Sequence, residues 1–227
     1  MNIVLIASYI KNENELFADE IPNIETHSPF GHLQIKYGFI LTRLNILNET
    51  ITEIHSLHST NIERIKNREY VSREETLRPI VKCISLATEL KILTDELISL
   101  NYLLNYYYTK NCWPSEIEID CIGAYLNMEN KKGFEAFNNH TKTIDTINDI
   151  GNAIKHSFIN SEIIWKQNPS PTPKLFAIHQ KRNKLNNSAK LYEISIPELI
   201  TEYNAILEDI KVVFHNYYQN KHSRDSD

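Results

Sequence analysis

The sequence predicts a mainly α fold, an antiparallel helical bundle with a small β-hairpin before the last helix, and three patterns predict it. Two stretches, from Leu33 to about Ile65 and from about Arg73 to Tyr108, repeat apolar residues every three or four positions for longer than an ordinary globular helix. A third such stretch runs from Phe134 to about Phe158. Near the end, two short apolar runs flank an Asn-rich loop and lead into a strongly capped helical segment. One-sided stripes on long helices need partners, and antiparallel packing supplies them with short connections.

Taken in order, residues 2–10 are apolar and read equally well as a short strand or the start of a packed helix. Residues 11–31 are polar and broken by Pro22, Pro29 and Gly31, so an irregular segment is expected. The first long helix places Tyr37, Ile40, Leu44, Leu47, Ile51 and Ile54 on one face, with a break expected near Ser59-Thr60. The second places Leu90, Leu93, Leu97, Leu100, Leu104 and Tyr107 on one face, extended upstream by Leu77, Val81, Ile84 and Ala87. Pro79 falls in its first turns, where a missing N–H is tolerated. Tyr106-Tyr107-Tyr108 closes that helix and Trp113-Pro114 marks the turn; packing at a bundle end is preferred over a base-stacking platform, because few basic residues interleave the rings.

A short helix or extended piece carrying Cys121 is expected over 115–127. The central helix then presents Phe137, Thr141, Ile144, Ile147, Gly151, Ile154 and Phe158 as its seam. Gly151 costs about 1 kcal/mol relative to Ala in a helix, so its place in the seam points to close approach by a neighbour or to a kink. Beyond it lie the apolar triplet Ile163-Ile164-Trp165 and a connector with Pro169, Pro171 and Pro173. The hairpin arms are Lys174–Gln180 and Lys190–Ile194. Ser195 and Glu198 have capping-box spacing, Ile194 and Leu199 staple spacing, and Leu199, Tyr203, Ile206, Ile210, Val213 and Tyr217 form the last stripe. Residues 220–227 read as a disordered tail. The expected organisation is a single domain, with the bundle in 1–166 and the connector, hairpin and last helix in 167–227.

Composition narrows the function. A formal charge of -5, from 24 Lys+Arg against 29 Asp+Glu, does not suit a protein that coats nucleic acid by charge alone. The three cysteines, Cys83, Cys112 and Cys121, have no CxxC spacing and read as reduced thiols of a cytoplasmic protein. No stretch reaches about 18 consecutive apolar residues, so no membrane span is expected, and the N-terminal segment lacks a signal-peptide pattern. Five glycines leave no phosphate-cradling loop, and no nucleotide cofactor is expected. The richness in Asn, Ile and Lys hints at a bacterial source.

The candidate chemistry lies on the central helix. At 100° per residue, Asp145, Asn148, Asp149, Asn152 and His156 share a stripe about 100° wide, with Lys155 at its border. A histidine in a strip of Asp and Asn suits a general base near neutral pH, and a solvated polar face is the alternative. His27, His32, His55 and His58 form a second constellation; His55 and His58, one turn apart on the first long helix with Glu53 nearby, suit a shared metal, while surface or helix-edge histidines are the preferred reading. Lys181-Arg182-Asn183-Lys184 at the hairpin tip suits contact with phosphate, or is a solvated loop.

The hexapeptide Gly151-Asn152-Ala153-Ile154-Lys155-His156 resembles a motif of the HEPN superfamily, Arg-x4-6-His, often Arg-Asn-x-x-x-His on a bundle helix. Asn152 and His156 match, and Gly151 stands at the arginine. The order of an Asn-x-x-Lys-His-Ser helix, proline connector, hairpin and Ser-x-x-Glu-capped helix also resembles uncharacterised bacterial proteins over about the last 95 residues. The resemblance implies a helical module of a bacterial defence or toxin–antitoxin system, commonly a homodimer, with RNA or a protein as partner. In active members the arginine and histidine are implicated in metal-independent RNA cleavage. Here that implies His156 as base with Asn152 and Lys155 assisting. Gly151 leaves the arginine's role unfilled, and Lys155 lacks the bidentate fork of a guanidinium. The primary expectation is therefore a non-catalytic or degenerate module that binds a partner or ligand. A metal-independent endoribonuclease is the alternative, and a metal-binding bundle through His55 and His58 is the third.

Overall fold

The computed structural model describes residues 3–6, 25–156, 171–179 and 190–224. The chain is mainly α, with a small antiparallel hairpin directly before the last helix, as its apolar periodicities predict. A two-residue ladder, β1 (His27–Ser28) and β2 (Gly31–His32), comes first, inside the segment expected to be irregular. The helices are α1 (Leu33–Lys66), α2 (Arg73–Lys110), α3 (Ile122–Leu126), α4 (Glu135–Asn138), α5 (Thr141–His156) and α6 (Ile196–Arg224). Strands β3 (Lys174–His179) and β4 (Lys190–Ser195) form the hairpin, in the register Lys174↔Ser195 through His179↔Lys190.

The residues fall into two compact units. One comprises Met1–Ile6, Ile46–Lys91 and Thr146–Thr201, and the other Ala7–Asn45, Ile92–Asp145 and Glu202–Asp227. In the first unit, Glu53 pairs with Lys82, and Arg64 with Glu75. Partner numbers fall along α2 as they rise along α1, so these segments run antiparallel. The Asn48 amide adds the N-terminal segment by exchanging two hydrogen bonds with the Ile6 backbone, at 2.8 and 3.1 Å. In the second unit, His140 meets Asp209 at 2.9 Å and Thr143 donates to Glu202 at 2.8 Å, so the start of α5 runs antiparallel to α6.

All six stripe residues expected on α1 are buried. The helix passes through Ser59-Thr60 without the expected break: both side chains face solvent, and buried Asn61 is anchored by its amide to the Glu75 carbonyl at 2.9 Å. Arg68, in the left-handed conformation at φ 59°, closes α1, with the Glu69 N–H returning to the Arg64 carbonyl. A capping box opens α2: Ser72 Oγ accepts from the Glu75 N–H, and Glu75 accepts from the Ser72 N–H at 2.8 Å.

The upstream half of α2 is rotated from expectation. Pro79, Cys83, Leu86 and Ala87 are buried there, while Val81 is 57% exposed. Cys83 behaves as a small hydrophobe and Pro79 packs inward, so the true stripe includes two residues that an aliphatic pattern omits.

The central helix is also corrected. The stretch beginning at Phe134 is two helices, α4 and α5, parted at Asn139-His140. A short polar side chain competes for the backbone there: Thr141 Oγ1 donates to the Asn138 carbonyl at 3.0 Å. Along α5 the buried positions are Thr143, Ile144, Ile147, Ile150, Gly151 and Ala153, with Ile154 only half-buried. The last helix continues through the expected tail to Arg224, and residues 225–227 lie outside the described part, as do Phe158, Ile163-Ile164-Trp165, Pro169 and the hairpin tip.

Candidate functional site

Helix α5 carries one strongly polar face. Asp145, Asn148, Asp149 and Asn152 are half-buried along it, as helical spacing requires, and Lys155 is exposed. Asn152 Nδ2 donates to Asn148 Oδ1 at 3.2 Å, one turn back along the same helix. His156 closes α5 with its backbone, and its side chain lies outside the described residues. Gly151 has a definite reason to be glycine: a Cβ there would stand 2.3 Å from Lys91 Cδ and 3.1 Å from Lys91 Cβ. Close approach, the first of the two expectations for Gly151, is what the structure contains. The aliphatic stem of Lys91 from α2 lies over the site of the missing side chain.

The best-formed polar cluster centres on Asp149. Its carboxylate is 16% exposed and receives three side chains from the hairpin. Tyr192 donates its hydroxyl to Oδ2, Lys190 Nζ lies 3.0 Å from the same oxygen, and His179 Nδ1 lies 3.4 Å from Oδ1. Alternation makes this convergence possible. Leu175, Ala177 and His179 point to one face of β3, opposite Ile194, Tyr192 and Lys190 of β4. Leu175, Ala177 and Tyr192 are buried, so the hairpin packs this face inward, and its last pair, His179 and Lys190, stands at the edge.

The electrostatics are consistent with that geometry. Burial works to raise the Asp149 carboxyl, but the Tyr192 and Lys190 hydrogen bonds, with the charges of His179 and Lys190, outweigh it and hold the group below its ordinary value. Tyr192 is pushed up to about 12, first by burial and then because its proton is held by the carboxylate. The Lys190 ammonium is raised above its ordinary value by hydrogen bonding to Tyr192 and Asp149. At neutral pH the cluster holds an anionic Asp149, a cationic Lys190 and an un-ionised Tyr192.

Sequence reasoning placed Asp149 in the polar stripe and missed its three partners. Part of the signal was present: period-2 alternation puts Lys190 and Tyr192 on one face of their strand, and the register His179↔Lys190 adds His179 to it. The register and the docking of that face onto α5 lie beyond the alternation.

The remaining candidates separate clearly. Tyr107 stacks on Trp113 with centroids 4.3 Å apart, and Tyr108 on Tyr217 at 6.0 Å, so these rings use one another as stacking partners, in line with the packing reading. His55 is buried at 4% exposure, and its Nε2 has no hydrogen-bond partner among the described residues. Burial first, and the His58 charge second, lower its affinity for a proton. Among the described residues no three His, Cys, Asp or Glu side chains group to hold a metal, and His55-His58 acquires no third ligand. Lys181-Arg182-Asn183-Lys184 lies outside the described residues. No helix among the described residues is long and apolar enough to cross a membrane.

No family model, curated protein or solved structure matches the chain.

Proposed function

We propose that the chain is a HEPN-like helical module of a bacterial defence or toxin–antitoxin system, a cytoplasmic homodimer that binds a protein or RNA and does not cut RNA through its Gly151–His156 hexapeptide. The observation that carries this reading is the commitment of the polar face of α5 to internal contacts. Asp149 holds the hairpin through Tyr192 and Lys190, and Asn152 bonds Asn148. A catalytic set needs groups aimed at a substrate, with a cation beside the base. Position 151 has no side chain, and Lys155, the nearest cation on the helix, is exposed.

The test compares wild type with His156→Ala and Lys155→Ala in a metal-free cleavage assay on single-stranded RNA, with light scattering of the same samples. The expected result is a dimer at micromolar concentration and the same cleavage behaviour in all three proteins. Loss of cleavage confined to His156→Ala would establish the hexapeptide as the catalytic centre and end this reading. A monomer would remove its homodimer component.

A further inference from the structure

We propose that the exposed face of α1 formed by Ile35, Phe39, Thr42 and Ile46 takes an amphipathic helix of a partner protein, with acidic side chains of that helix set against Lys36 and Arg43. The inference rests on the protein-binding arm of the proposed function and gives it a surface apart from the hexapeptide.

Helix α1 carries two apolar seams. Tyr37, Ile40, Leu44, Leu47, Ile51 and Ile54 are buried within the chain. Ile35, Phe39 and Ile46 lie on another side, 55%, 62% and 53% exposed, with exposed Thr42 between Phe39 and Ile46. The spacing 35, 39, 42, 46 is that of a heptad seam, which receives the side chains of a second helix. Thr42 suits such a seam, because its hydroxyl donates to the Gly38 carbonyl at 2.9 Å and is bonded within its own helix.

Gly38 points the same way. A glycine inside a helix costs stability relative to alanine. At Gly151 and Gly133 a neighbouring side chain occupies the place of a Cβ, but at Gly38, at the edge of the exposed seam, a Cβ would meet no described atom within 4 Å. Packing among the described residues gives no reason for this glycine, and close approach by a second backbone does.

Charge selects the partner. Lys36 and Arg43 border the seam on the side opposite Gly38, one heptad apart, and share Glu96 of α2 at 2.6 and 3.0 Å. The Lys36 side chain is still 47% exposed, and an ammonium and a guanidinium have more donors than one carboxylate takes. Acidic side chains complement this flank. A second copy of α1 does not: antiparallel pairing about Thr42 sets the Lys36–Arg43 flank against itself, and parallel pairing sets it against Gly38, Asn45 and Thr52.

The test uses the full chain and a fluorescent model helix with Leu at its a and d positions and Glu at e and g, whose like charges keep it from pairing with itself. A control helix carries Lys in place of Glu. By anisotropy, the Glu helix should bind about 5-fold or more tightly than the Lys helix, and Lys36→Glu should remove the preference. Phe39→Asp should weaken binding about 10-fold or more. Gly38→Gln should also weaken it while raising the melting temperature, which separates blocked docking from a lost fold. Hydroxyl-radical footprinting should find Phe39 oxidised in the chain alone and protected by the Glu helix. No binding, or equal binding of the two helices, overturns the inference. Protection of Phe39 in the chain alone overturns it too: protection that grows with protein concentration assigns the face to a second copy, and protection independent of concentration assigns it to the chain's own residues 7–24. None of these outcomes bears on the hexapeptide, which the His156→Ala comparison decides separately.

Discussion

Lys190 reaches across 41 residues of sequence to Asp149, Nζ to Oδ2 at 3.0 Å, and fixes the edge of the hairpin to the helix that precedes it in the chain. The Tyr192 hydroxyl donates to the same oxygen, so one carboxylate organises two residues of β4. Replacing Asp149 by Ala removes both bonds and leaves the buried Tyr192 phenol without its acceptor. Hydrogen bonds to charged groups contribute about 1.5–3 kcal/mol each, and partial exposure of the lysine discounts its share. The expected loss is about 2 kcal/mol by urea denaturation, with amide exchange accelerated selectively in β3 and β4. Unchanged exchange in both strands would mean that the apolar face holds the hairpin unaided.

Gly151 and Lys91 are coupled by exclusion. An alanine at 151 gains about 1 kcal/mol of helix propensity but drives its methyl into the Lys91 stem. Gly151→Ala alone is expected to destabilise. Combined with Lys91→Ala, which removes the Cγ and Cδ in the way, it is expected to stabilise relative to Lys91→Ala alone. A double-mutant cycle by chemical denaturation measures this coupling, and strict additivity would show that Lys91 does not constrain the position.

Gly133 is constrained twice. Its φ is +86°, and a Cβ would stand 2.2 Å from Asn105 Nδ2. Its carbonyl also accepts from Asn101 Nδ2 at 2.7 Å and from the Tyr217 hydroxyl at 3.3 Å, so the loop cannot move freely to relieve a clash. Gly133→Ala is expected to cost about 1–3 kcal/mol from backbone strain alone. Gly133→Ala with Asn105→Ala should recover only the steric part. Full recovery in the double variant, read from melting temperatures, would assign the whole effect to the clash.

Two groups act on stability in separate pH windows. Burial lowers the His55 pKa below its ordinary value of 6.5, so the unfolded chain takes up a proton first as pH falls. Stability is therefore complete above about 6.5 and declines as pH drops from there toward the lowered folded-state value. Glu75 is held down to about 2, by hydrogen bonds from Ser72 and then from Arg64, against an ordinary 4.5. Its contribution is complete above about 4.5 and is lost as pH falls toward about 2. Urea midpoints followed from pH 8 to pH 2 should lose the upper decline in His55→Leu and part of the lower one in Glu75→Gln. A decline near pH 6 that persists in His55→Leu would assign it to another histidine.

The sequence by itself determined the mainly α class, the start of α1 at Leu33, the hairpin arms and the start of α6, because these follow from local periodicity and capping chemistry. The six buried residues of the α1 stripe were legible for the same reason: they recur every three or four positions along the 34-residue helix, while Ile35, Phe39 and Ile46 fall off that stripe and stay exposed. Local patterns failed where neighbours competed for the same groups. The break between α4 and α5 falls where Thr141 Oγ1 bonds the Asn138 carbonyl, which a continuous helix would use. The rotated face of α2 arises from packing, which accepts Cys83 and Pro79 as readily as Val81 or Ile84.

Only the tertiary structure decided what the polar face of α5 meets. Helical geometry lines up Asp145, Asn148, Asp149 and Asn152, and strand alternation lines up Lys190 with Tyr192, to which the pairing register adds His179. Neither periodicity says that the two faces touch. That contact is set by burial of Leu175, Ala177 and Tyr192, which brings the hairpin edge within hydrogen-bond reach of one carboxylate.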